Sequence, residues 1–139
     1  VCTLMFGGGF VTWRHRQTGF ELGGGSITGT DERIQNGYKV GADLCAIDNP
    51  VNPRDYLATT DRPARFYVDS LVHDSAALER LLTLFGCERI MLGSDYPFPL
   101  GEDLPGAMIE SKDSLSAEIR DRLLYRSAIE FLGLSALPE

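Results

Sequence analysis

Phe66-Tyr67-Val68-Asp69-Ser70-Leu71-Val72, followed by a second apolar run at Arg89-Ile90-Met91-Leu92-Gly93-Ser94, decides how this chain folds. The first run is rich in β-formers and reads as a strand. The second suits a strand buried on both faces. Between them, Leu78, Leu81, Leu82 and Phe85 follow the i, i+3, i+4, i+7 spacing of a core-facing helical stripe. Ser75 is the expected N-cap, because its hydroxyl can accept from an amide of the first turn, and Gly86 supplies a left-handed residue after the last one. Strand, helix, strand is a βαβ unit, and its crossover sets the two strands parallel.

Toward the C-terminus, a loop containing Pro97, Pro99, Gly101, Pro105 and Gly106 leads to a helix predicted over residues 117–132. Ser116 can cap that helix, Glu118 favours its positive end and Gly133 stops it. Leu124, Ala128, Phe131 and Leu132 are expected to face the core. The architecture is α/β, either the tail of a barrel or part of a doubly wound sheet.

Toward the N-terminus the text changes character. Ten of the fifteen glycines fall in the first 41 residues, whereas all seven prolines lie at or after Pro50. Gly7-Gly8-Gly9 and Gly23-Gly24-Gly25 bracket a stretch, including Trp13 and His15, with neither helical nor strand period. Residues 1–32 therefore read as an atypical Gly-rich segment without assignable elements, and residues 33–139 as the domain proper. The chain begins at Val1 rather than Met, and the expectation is that its natural N-terminus lies further upstream.

The 139 residues are far fewer than the roughly 250 of a complete (β/α)₈ barrel. Twenty acidic against thirteen basic residues give a net charge of −7, with Lys39 and Lys112 the only lysines. That balance argues against a nucleic-acid or anionic-membrane partner, either of which calls for clustered cations. No apolar run approaches the roughly 18 residues of a membrane span. Cys2, Cys45 and Cys87 are odd in number and widely spaced, as in reduced thiols of a cytosolic protein, which excludes a disulfide scaffold.

The chemistry concentrates in Leu92-Gly93-Ser94-Asp95-Tyr96-Pro97-Phe98-Pro99-Leu100-Gly101. A carboxylate leaving the C-terminal end of a buried parallel strand points into the mouth where α/β proteins place ligands, so Asp95 is the leading candidate. The alternative is that Asp95 caps a turn. Arg33 can clamp an anion, or it is a solvated charge beside Asp31 and Glu32. His73 is expected to be buried and bonded to backbone. No Gly-x-Ser-x-Gly elbow or phosphate loop occurs. With two histidines and no close pair of cysteines, the chain offers a metal Asp95 and little else.

Together with Ile34-Gln35-Asn36-Gly37-Tyr38, the run from Asp43 to Pro53 and the segment 66–74, these residues resemble the 2-amino-3-carboxymuconate-6-semialdehyde decarboxylase family of the amidohydrolase superfamily. The resemblance covers residues 33–134 and implies the C-terminal third of a metal-dependent (β/α)₈ barrel. It implies a cytosolic, zinc-dependent, non-oxidative decarboxylase of tryptophan degradation that limits quinolinate formation, acts on a small molecule and forms a homodimer. By the same resemblance Asp95 is a zinc ligand, Phe98 lines the substrate pocket, and Arg33 reaches into the neighbouring subunit's site to hold a carboxylate. The chain departs from the pattern at the general base: where the family carries a histidine before the triple glycine, this sequence has Leu22, or Phe6 if the first triplet is taken, and neither can move a proton. The histidine ligands of the earlier strands have no counterpart. Two other readings stand beside it: a catalytically inactive fragment that pairs with an intact subunit, and a hydrolase of the same superfamily.

Overall fold

The computed structural model describes residues 17–41 and 51–135. Trp13, His15, Cys2, Cys45, the first glycine triplet and most of the run from Asp43 to Pro53 lie outside the described residues. Three short strands, β1 (Gly19–Phe20), β2 (Tyr67–Asp69) and β3 (Ile90–Met91), form one parallel sheet in chain order. The two predicted segments lie side by side, with Val68 opposite Ile90 and Asp69 opposite Met91. Gly19 and Phe20 stand opposite Tyr67 and Val68. Because side chains alternate along a strand, Phe20, Val68 and Ile90 share one face, and Gly19, Tyr67, Asp69 and Met91 share the other.

Helices α1 (Ile27–Val40) and α2 (Ser75–Phe85) both cover the first face. The Phe66 ring meets Phe20 and Phe85 edge-on, at centroid distances of 5.4 and 5.5 Å. The predicted α2 stripe is buried at Leu78, Leu81 and Phe85, joined by Leu84, while Leu82 is partly buried. Each fully buried aliphatic or aromatic side chain contributes about 1.5–3 kcal/mol. Strands in sequential order with both helices on one face give a singly wound layer, the local arrangement of an α/β barrel.

Several expectations are corrected. The N-cap of α2 is Asp74, whose carboxylate accepts from the Ala77 amide at 2.8 Å; Ser75 is already helical. Residues 19–32, expected to lack elements, hold β1, a 3₁₀ turn (Leu22–Gly24) and the start of α1. The second glycine triplet acts there as a built corner. Gly23, Gly24 and Gly25 all have positive φ, and a Cβ on Gly24 would stand 2.9 Å from Val68 Cγ1.

After a short helix α3 (Ala107–Ser111), the C-terminal helix runs as α4 (Ala117–Asp121), a π-helical turn (Arg122–Arg126) and α5 (Ser127–Leu132). Ser116 caps α4 as expected, its hydroxyl accepting from the Ile119 amide. The Ser127 amide donates to the Arg122 carbonyl, five residues back. That widened turn keeps Leu123 and Ser127 buried, and Leu132, expected in the core, is 64% exposed. Phe131 lies on the second face of the sheet instead, against Tyr67 at 5.0 Å between ring centroids. Among the described residues no helix is long and apolar enough to cross a membrane.

Candidate functional site

A cleft of about 480 Å³ opens at the C-terminal ends of the strands. Its walls include Glu21, Asp69, Gly93, Asp95, Phe98 and Phe131. This is where an α/β sheet places ligands, because backbone leaving each strand end turns its next side chains into the mouth.

Asp95 lies half-buried on this cleft, four residues beyond β3. Its backbone is left-handed, with φ +58°, a conformation that aspartate tolerates better than most residues. The turn-capping alternative is not what is seen. The Asp95 main-chain carbonyl accepts from the Phe98 amide at 2.8 Å, and the carboxylate takes no hydrogen bond from the described residues. Asp95 thus lines the cleft with a carboxylate whose acceptor capacity is not taken up by the described residues. Phe98 also lines the cleft and is 65% exposed, a ring with room to cover a bound molecule.

Arg33 projects from the exposed face of α1 and is not part of the cleft lining. Its acidic neighbours are both engaged elsewhere: Asp31 pairs with Arg80, and Glu32 with Arg54 at 2.9 Å. Leu22 begins the glycine corner with φ +55° and a largely exposed side chain. His73 is exposed, contrary to the expectation of a buried ring, because it sits in the turn between β2 and α2 rather than in the strand.

Asp69 is the residue that sequence reasoning missed. Its carboxylate accepts from the Gly23 amide at 2.7 Å, the Leu22 amide at 3.0 Å and the Leu71 amide at 3.2 Å. It ends a parallel strand on the cleft, so the argument that singled out Asp95 applies to it equally. Outside the cleft, Arg89 stacks over the Tyr67 ring at 4.6 Å and donates to its hydroxyl at 3.1 Å. Burial, with Glu130 nearby, pushes the Tyr67 hydroxyl above its usual pKa against the opposing pull of Arg89.

The cleft offers a small molecule two carboxylates not engaged by the backbone, Glu21 and Asp95, beside aromatic rings. Among the described residues no three His, Cys, Asp or Glu side chains converge as a metal site, so Asp95 does not hold an ion unaided.

The singly wound layer and this cleft belong to a known class. The chain is a member of the amidohydrolase family, whose model matches residues 37–134. It is 46% identical, over 96% of its length, to 2-amino-3-carboxymuconate-6-semialdehyde decarboxylase of Dictyostelium discoideum, and 36% identical over the same share to the like-named protein of Caenorhabditis elegans. It covers 36% and 32% of those two proteins, about a third of each. Both alignments extend over 134 of the 139 residues and so reach well into the Gly-rich stretch. Among solved structures, 5-carboxyvanillate decarboxylase LigW from Sphingomonas paucimobilis matches with a TM-score of 0.73 at 16% identity. That match covers 96% of this chain and 38% of LigW, and speaks for the fold. The α/β chain thus corresponds to part of a barrel of this family.

Proposed function

We propose that this chain is the C-terminal part of a carboxy-lyase that decarboxylates 2-amino-3-carboxymuconate 6-semialdehyde without oxidation. The observation that carries the reading is the 46% identity, across nearly the whole chain, to a relative of that name. The cleft supports it: at about 480 Å³ and walled in part by Phe98 and Phe131, it has the size and apolar lining of a small-molecule site. Members of the family commonly use a metal. In our reading the metal is zinc, Asp95 is one ligand, and the remaining ligands come from parts of the protein outside this chain. The described residues do not by themselves make a complete ligand set.

Phe98 in this reading covers the substrate. Arg33, free of its acidic neighbours on the outer face of α1, serves the site of a second copy in a homodimer. The cellular setting we infer is cytosolic tryptophan degradation, with the reaction drawing material away from quinolinate.

The test uses the full-length protein. Carbon dioxide release from the semialdehyde is expected, and Asp95→Ala should lose both turnover and bound zinc. Zinc content unchanged by Asp95→Ala removes the ligand role; absence of turnover by the unaltered protein removes the reading.

A second reading is favoured by one residue. Leu22 stands where the family resemblance places a base, and its side chain cannot carry a proton. A chain of that kind is catalytically silent and acts by pairing with an intact subunit. Co-purification with a full-length relative at micromolar concentration supports it, and failure to associate counts against it.

A further inference from the structure

Three carboxylates line the cleft, and only one is consumed by backbone. Glu21 is exposed and Asp95 accepts nothing from the described residues, whereas Asp69 accepts from three amides. We propose that Asp69 is a positioning residue that locks the Leu22–Gly25 corner, the end of β2 and the Gly93–Asp95 segment into one rim. It thereby fixes where Glu21 and Asp95 stand across the cleft.

The corner has a run of four positive-φ residues, with φ of 55°, 57°, 73° and 65° at Leu22, Gly23, Gly24 and Gly25. Such backbone turns successive amides toward one side and makes a concavity for negative charge. Here the concavity is filled from within, by Asp69 Oδ1 and Oδ2 on the Gly23 and Leu22 amides. Leu22 has a side chain in a region that favours glycine, so the surrounding contacts have to hold it there. The third bond, from Leu71 to Oδ1, fixes the Asp69 side chain against its own strand end.

Gly93 closes the clamp on the other side. A Cβ there would lie 2.6 Å from Asp69 Cβ and 2.7 Å from Oδ2, which leaves no space for one. The Gly93 amide donates to Ser70 Oγ at 3.4 Å, tying the same two strand ends. Backbone that runs on to Asp95 is therefore stacked directly on the carboxylate that holds the Leu22 corner. The bond from Asp69 to the corner spans 46 residues and the Gly93 contact a further 24, so neither follows from local chain geometry.

The link from this clamp to turnover rests on the decarboxylase reading; the clamp itself does not. In full-length protein, Asp69→Asn keeps the shape but sets an amide group against one of the two corner N–H groups. Hydrogen exchange at Leu22 or Gly23 should accelerate about tenfold, with the α2 amides unchanged. Turnover should fall by about 10²-fold with KM within about twofold, as expected for misplacement of the reacting geometry. Gly93→Ala should reproduce that loss, and the double variant should add little to either single one. Unchanged exchange at both corner amides overturns the clamp. Accelerated exchange with full turnover per folded molecule overturns the positioning role. If the unaltered protein releases no carbon dioxide, the decarboxylase reading falls, and the exchange result still decides whether Asp69 holds the corner.

Discussion

Asp31 of α1 and Arg80 of α2 share two hydrogen bonds of 2.7 and 2.8 Å, with the carboxylate 6% exposed and the guanidinium 42% exposed. The pair ties together the two helices that cover the sheet, with one guanidinium nitrogen, Nη2, shared between both carboxylate oxygens. Truncating Arg80 leaves the buried carboxylate unsatisfied. Arg80→Ala is expected to lower stability by about 1–3 kcal/mol, toward the low end because the guanidinium is partly solvated. Replacing both partners with apolar residues of similar size should cost less than either single truncation. Urea unfolding midpoints of the three variants check this, and a double variant weaker than Arg80→Ala contradicts it.

The glycine corner offers a contrast between adjacent positions. Gly24 and Gly25 both have positive φ, but a Cβ on Gly24 would meet Val68, Ile27 and Phe85, whereas Gly25 has nothing within 4 Å. Gly25→Ala should cost about 1–3 kcal/mol, the backbone penalty alone, because φ 65° with ψ −137° is backbone that only glycine adopts readily. Gly24→Ala adds overpacking of about 1–3 kcal/mol to that penalty. Thermal unfolding ranks the two, and equal losses would show that the corner yields rather than resists.

Tyr67 sets a pH limit. Its hydroxyl is held above its usual pKa of about 10, chiefly by burial, so folding favours the protonated ring. The corresponding stability is present in full below pH of about 10 and is lost as pH rises through the higher folded value. Tyr67→Phe should flatten that alkaline decline, read by circular dichroism between neutral pH and about pH 11. An unchanged alkaline profile in the variant rules the assignment out.

Burial also pushes the Cys87 thiol up, with Glu88 adding to the effect. Its thiolate is scarce at neutral pH, so the thiol is expected to be inert. With Cys2 and Cys45 replaced by serine, the rate of labelling by a disulfide reagent should still be climbing above a pH of about 8.5. A plateau below that pH would point to an activated thiol.

The parallel βαβ unit was legible because the first strand is rich in β-formers, the second is a short apolar run and the helix between them carries a regular stripe. The α2 cap was displaced by one residue, since Asp74 and Ser75 are both good caps and only geometry selects between them. Gly23-Gly24-Gly25 reads as linker because glycine announces freedom; what makes it structure is Val68 packed against it from a distant strand. Asp95 was found by the rule that strand ends point into the mouth. Asp69 obeys the same rule, but its amide partners at Leu22 and Gly23 lie 47 and 46 residues earlier and no local pattern joins them. Asp31 and Glu32 precede Arg33 in sequence, but the helix turns one toward Arg80 and the other toward Arg54, which leaves Arg33 exposed, as the solvated-charge reading has it.

The five-residue back-bond at Ser127 works like a spacer in a gear train. Upstream of it the helix is timed by Ile119 and Leu123 against the core; downstream, Ser127 still meets the Cys87 carbonyl at 3.0 Å, and Phe131 comes round onto Tyr67. Five residues of such a turn sweep about the same angle as four of ordinary helix, so rewinding it as α-helix at unchanged length would rotate everything after it by about 100°, whereas deleting one residue between 122 and 126 would keep Ser127 and Phe131 in phase. In the first case the Phe131 ring would swing off the sheet, so the widened turn, far from Asp95, sets the shape of the chamber that Asp95 lines.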